Sequence, residues 1–175
     1  MVRKIGLLLT LSLLLGFSAA AQDSKADFYA GFQYTRMSAF GANQYGGVGQ
    51  FAYYPTSWFG VVGEFSGSTL GPSAGALTTA NTLYTYMGGP RVAFRHGPIQ
   101  PYVQALFGGA TVNTSTQGFP PANNNGFALA VGGGLDLKIH RHIAFRLIQA
   151  DYFYTHFGGG TQNNFRFSTG IVFRF

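Results

Sequence analysis

The chain contains no cysteine, and only 9% of its 175 residues are charged. Without cysteine there is no disulfide framework and no thiolate metal site. A soluble domain typically devotes ~25% of its residues to charge, so this chain lacks the side chains that would cover an ordinary water-facing surface. No apolar run reaches 18 residues, which excludes a membrane-spanning helix. Neither a phosphate-binding loop nor a dinucleotide fingerprint occurs, since Gly132-Gly133-Gly134 lies inside an alternating segment. The sequence pI of about 9.8 would suit a nucleic-acid partner, but the basic residues are scattered without a run or stripe, so nucleic acid is not expected. What the chain does have is aromatic residues, at 17%, and 26 glycines. That composition is too aromatic for disorder.

The first residues read as an export signal. Met1-Val2-Arg3-Lys4 is basic, the thirteen residues from Ile5 to Phe17 are apolar, and Ala19-Ala20-Ala21 supplies a small-residue cleavage site. Residues 1–21 are therefore expected to be removed, leaving 22–175 as one exported domain with a formal charge of +4.

From residue 27 onward hydrophobicity alternates with a period of two, the mark of strands with two different faces. Eight such segments can be read: 27–37, 44–54, 58–66, 82–95, 99–112, 127–138, 142–155 and 164–175. Phe28, Phe32, Phe51, Phe65, Tyr86, Val103, Phe107 and Leu135 fall on one face. Small and polar residues fall on the other, together with the charges. The connections alternate in length. Short ones lie at Pro55-Thr56-Ser57, His96-Gly97-Pro98 and 139–141, and longer polar ones at 38–42, 67–81, 113–125 and 156–162. Strands joined by short loops are antiparallel neighbours, so all short turns lie at one end. The pattern predicts an all-β fold, an eight-stranded antiparallel up-and-down transmembrane β-barrel, apolar outside and polar inside. A soluble barrel of the same size would need the opposite faces. Aromatics at the segment ends (Tyr53, Tyr54, Trp58 and Phe59; Tyr84, Tyr86, Phe127, Phe153 and Tyr154) suit interfacial girdles.

The inward face carries Glu64, Arg91, Gln104, Asp136, Arg146, Asp151 and Arg166. Eight strands enclose a lumen just wide enough for side chains to fill, and charges there must pair or be wetted. A salt-bridged plug is the expected outcome, with a narrow diffusion pore as the alternative. Arg146 and Asp151 are five residues apart, which a regular strand would place on opposite faces. A bulge near Ile148 is expected to reset the phase. A lipid-modifying enzyme would need a nucleophile, base and carboxylate in reach. Ser168, His156 and Asp151 are the one candidate trio near the long-loop end, and no enzyme activity is expected from it. His140 and His142 lack the further ligands of a metal site, so neither metal nor cofactor is expected. The uncharged long connections at 67–81 and 113–125 are the candidates for surface contact.

The stretches WFGVVGEFS, GPR at 89–91, QPYVQALFGG, GGGLDLK, RLIQADYFYTHF and the terminal aromatic, in this order, resemble the OmpA-type outer-membrane β-barrel superfamily. The resemblance covers the whole expected mature chain. It implies a bacterial outer-membrane location, with contacts to lipid and lipopolysaccharide. It also implies periplasmic chaperones and the barrel assembly machinery as partners during biogenesis. Phe167, Ile171, Phe173 and Phe175 match the family's C-terminal assembly signal, and the opposed interior charges resemble its ion-pair cluster. The peptidoglycan-binding domain that follows the barrel in OmpA itself has no counterpart here, so a barrel-only member is expected.

Overall fold

The computed structural model describes residues 25–37, 42–70, 79–116, 120, 122–158 and 160–175. The leader expected over 1–21 lies outside them. Eight strands follow in order: β1 (Ala26–Met37), β2 (Ala42–Tyr53), β3 (Phe59–Leu70), β4 (Thr79–Ala93), β5 (Ile99–Thr116), β6 (Ala122–His140), β7 (Ile143–Phe157) and β8 (Gly160–Arg174). Each pairs antiparallel with the next, and β8 returns to β1 from Asp27↔Arg174 to Met37↔Asn164, so the sheet closes into a barrel. Closure leaves no strand edge with unpaired backbone groups, the condition for crossing lipid.

Alternation decides which way each side chain points. Phe32, Phe51, Phe65, Tyr86, Val103 and Phe107 are exposed on the outer wall, whereas Gln33, Gln50, Glu64, Thr85, Gln104 and Leu106 are buried inside. An apolar wall around a polar lumen is the reverse of a water-soluble barrel.

The strands at the long-connection end run further than their composition suggested. The connection expected at 67–81 contracts to 71–78, because β3 continues to Leu70 and β4 begins at Thr79. Likewise β5 continues to Thr116 and β6 begins at Ala122, inside the loop expected at 113–125. The physical reason is cross-strand pairing between polar residues. Thr111 donates from its Oγ1 to Asn125 Oδ1 at 2.8 Å, and Thr114 Oγ1 donates to Asn81 Oδ1 at 2.8 Å. With 18 and 19 residues, β5 and β6 exceed the ~9–11 that span hydrocarbon, so this hairpin projects beyond the bilayer.

The parity conflict on β7 is resolved at Leu147. Against β6, Leu135 pairs with Ile148 and Asp136 with Arg146; against β8, Arg146 pairs with Gly170 and Gln149 with Ser168. Leu147 and Ile148 both point outward, and Arg146 and Asp151 both point inward. Without Leu147 the β7–β8 ladder would be regular, and the β6–β7 ladder would keep only its second shift, between Lys138 and His140 beside the turn. Beside the bulge, Thr169 Oγ1 donates to the Arg146 carbonyl at 2.8 Å, so this backbone acceptor has a partner where the ladder is irregular.

Candidate functional site

The middle of the lumen is filled by one hydrogen-bonded network to which strands β2 to β8 contribute. Arg166 on β8 lies between two carboxylates. Its Nη1 donates to Glu64 Oε1 at 2.5 Å, and its Nη2 donates to Glu64 Oε2 at 3.1 Å and to Asp151 Oδ2 at 2.8 Å. Arg146 on β7 donates from Nε to Asp136 Oδ1 at 2.8 Å. Two glutamines join these ion pairs. Gln50 accepts at Oε1 from Arg91 Nη2 (2.5 Å) and Arg146 Nη1 (2.7 Å), and donates from Nε2 to Glu64 Oε2 (2.6 Å). Gln149 accepts from Arg146 Nη1 (2.7 Å) and the Tyr102 hydroxyl (2.7 Å), and donates to Asp151 Oδ2 (2.6 Å). Gln104 accepts from Arg91 Nε at 3.1 Å and donates to Asp151 Oδ1 at 3.4 Å. The network therefore brings together Glu64, Arg91, Gln104, Asp136, Arg146, Asp151 and Arg166, and adds Gln50, Gln149 and Tyr102.

Burial makes this arrangement mandatory. Arg91, Arg146 and Arg166 are 1%, 0% and 2% exposed. A guanidinium removed from water costs several kcal/mol unless its donors are matched, on the order of the effective penalty per buried ion. Aromatic faces supply the rest of the matching. Arg146 is sandwiched between Tyr29 and Tyr102, at 4.0 and 4.5 Å from the ring centroids, and Arg91 also sits over Tyr102, at 4.4 Å.

Glycines allow these rings to lie flat. Tyr29 folds over Gly31, and Tyr102 folds over Gly134 on the neighbouring strand. A Cβ at Gly134 would stand 2.6 Å from the Tyr102 hydroxyl and 2.5 Å from the Ile148 carbonyl oxygen, whereas a Cβ at Gly63 would meet nothing within 4 Å. Gly134→Ala is thus expected to lower stability by roughly 1–3 kcal/mol, the cost of forcing extra volume into packed surroundings. Gly63→Ala is expected to be near neutral. Urea unfolding of both variants in lipid vesicles checks this, and equal midpoints would refute it.

At the short-turn end a second layer covers the first. Arg95 donates from Nη2 to Asp27 Oδ1 at 2.9 Å and lies 4.1 Å over the Tyr54 ring. Arg174 donates to Gln100 Oε1 at 2.5 Å, and Gln100 donates to the carbonyls of Arg95 and Gly97 at 3.0 and 3.1 Å. Among the described residues all four acids, Asp27, Glu64, Asp136 and Asp151, are buried inside the barrel. The exposed charged side chains, Lys25, Arg36, Lys138 and Arg141, are all cationic.

One expectation is corrected here. Tyr54 and Phe153, read as girdle aromatics, are 4% and 1% exposed and face inward; Phe153 lies beside Arg166, 5.3 Å from ring centroid to guanidinium. Alternation, rather than nearness to a strand end, sets their direction. The trio of Ser168, His156 and Asp151 is not assembled. Ser168 and Asp151 are buried in the lumen, His156 is exposed on the outer face opposite Thr161, and Asp151 is already bound by Arg166 and Gln149. His140 and His142 stand with ring centroids 6.4 Å apart, and no group of three potential metal ligands forms among the described residues.

The family model for the outer membrane protein beta-barrel domain matches residues 7–175. The chain belongs to that family. An outer membrane protein beta-barrel domain is an integral component of the bacterial outer membrane, with its short turns toward the periplasm. Solved structures that share the fold include three small barrels. Neisserial surface protein A is 15% identical with a TM-score of 0.65, covering 90% of this chain and 100% of its own. Ail, the attachment invasion locus protein of Yersinia pestis, crystallised with the heparin analogue sucrose octasulfate, is 19% identical with a TM-score of 0.63 (88% and 100%). The N-terminal barrel of Pseudomonas aeruginosa OprF is 16% identical with a TM-score of 0.53 (88% and 100%). No curated protein sequence matches the chain.

Proposed function

We propose that this outer-membrane barrel is a non-conducting, non-enzymatic structural and surface-contact protein. The observation that carries the reading is the burial of Arg146 at 0% exposure, bonded across the axis to Gln50 on the opposite side of the barrel. Gln50, Arg91, Gln149 and Arg166 around it are likewise no more than 2% exposed, which argues against the continuous aqueous path that conduction requires. The carboxylates that could act as bases are held by arginines, which argues against acid–base chemistry in the lumen. Purified protein in planar lipid bilayers is expected to give no unitary current steps. Reproducible steps of constant size would overturn the reading in favour of a narrow diffusion pore.

The contact surface is the projecting β5–β6 hairpin. Residues 105–116 and 122–131 contain no charged side chain, so recognition there works through Asn and Thr hydrogen bonds rather than ion pairs. That differs in kind from binding a highly sulfated molecule. The wall meets lipid and lipopolysaccharide. The outward stripe of Phe167, Ile171, Phe173 and Phe175 on and just beyond β8 supports its use as the sequence read by periplasmic chaperones and the assembly machinery.

A further inference from the structure

We propose that the periplasmic mouth of the barrel is an anion site that takes a phosphate group. A cavity of about 260 Å³ opens at the short-turn end, and its lining includes Lys25, Arg95, Lys138, Arg141 and Arg174 but no carboxylate. These cations come from separate places in the sequence: the residue before β1, the β4–β5 turn, β6, the β6–β7 turn and β8. Their convergence is a product of the fold. Two acids approach from the lumen side, and both are largely committed. Asp27 binds Arg95 at 2.9 Å, and Asp136 binds Arg146 at 2.8 Å. Arg174 faces both at longer range, its Nε 3.8 Å from Asp27 Oδ2 and its Nη2 3.7 Å from Asp136 Oδ2.

The two acids partly offset Arg95 and Arg174, so Lys25, Lys138 and Arg141, exposed around the cavity, supply the excess positive charge that an anion among them would relieve. Phosphate fits the donor set. Arginine presents a planar fork to phosphate oxygens, and lysine adds a mobile point charge. The volume admits a phosphate or a phosphodiester headgroup and excludes a folded acidic domain. Exposed Tyr53, Trp58, Phe94, Ile99 and Ile139 stand at the same end of the barrel. Such aromatic and apolar residues mark the level of the membrane interface, so the phosphate can come from an inner-leaflet phospholipid or from the periplasmic solution.

The full barrel, refolded into phosphatidylcholine nanodiscs, distinguishes the sources. One arm titrates pyrophosphate by calorimetry. The other dopes the discs with phosphatidylglycerol and counts lipid retained on the released protein by native mass spectrometry. The double variant Lys138→Gln/Arg141→Gln removes two exposed charges without touching the lumen network, and Arg36→Gln at the opposite end is the control. Saturable 1:1 binding is expected in one arm, weakened roughly tenfold or more in the double variant, reduced by salt and unchanged in the control. The arm that saturates identifies the source. Lack of saturation in both arms, parent-like binding by the double variant, or equal weakening in the control would overturn the site.

Discussion

Arg166→Met is expected to destabilise the barrel by about 3–5 kcal/mol, the usual consequence of removing one partner from a buried ion pair. The loss exceeds the worth of the pairs themselves. Glu64 and Asp151 both remain inside the lumen, with side chains 0% exposed, and neither has another guanidinium within bonding distance. Their remaining partners are the amides of Gln50, Gln149 and Gln104. The triple variant Glu64→Gln/Asp151→Asn/Arg166→Met separates the two contributions. It removes the stranded charges together with the arginine and should recover most of the loss. Urea unfolding in lipid vesicles, followed by the heat-dependent shift on a detergent gel, measures both. A single variant within about 1 kcal/mol of the parent, the size of an exposed pair, would show that the ion pairs are solvated rather than buried.

The second large effect concerns strand parity. Deleting Leu147 should leave a folded, heat-modifiable barrel, because its removal takes the mid-wall register shift out of both ladders of β7, leaving only the shift beside the β6–β7 turn, and moves no residue between faces. Deleting Phe167 should abolish folding. That deletion forces either Arg166 and Asn164 or Val172 and Arg174 onto the lipid face, since a shift of one residue exchanges the faces of a strand. An arginine at the bilayer midplane costs ~2–4 kcal/mol, and here it also leaves its lumen partners behind. Comparable yields of folded protein from the two deletions would contradict the assigned register.

Strand number, the inward set of charges and the need for a bulge on β7 are legible in the sequence, because each follows from a period of two applied over ten or more residues. The bulge is legible because Arg146 and Asp151 differ in parity and neither can be left facing lipid. What escapes is whatever alternation does not label. Gln149 follows the bulge, so its face depends on where the extra residue sits. Tyr29 and Tyr102 look like any strand aromatic, and nothing in one dimension places them over Gly31 and Gly134, or beneath arginines. Asp27, Arg95 and Gln100 read as strand-end residues, yet their side chains turn over the lumen and cap it. The polar ends of β5 and β6 read as loop because Asn and Thr favour turns, whereas their pairing across the hairpin holds them extended.

The positions of the network partners in the chain bear on assembly. Glu64 and Arg166 are separated by 102 residues, and Gln50 and Arg146 by 96, so none of these bonds forms while the barrel is open. A curved sheet of seven strands, lacking β8, would carry two lumen carboxylates without their arginine, and premature closure of such a sheet would bury both. The lumen thus penalises the wrong strand count as well as stabilising the right one. Completion of the eighth strand is the event that makes closure favourable.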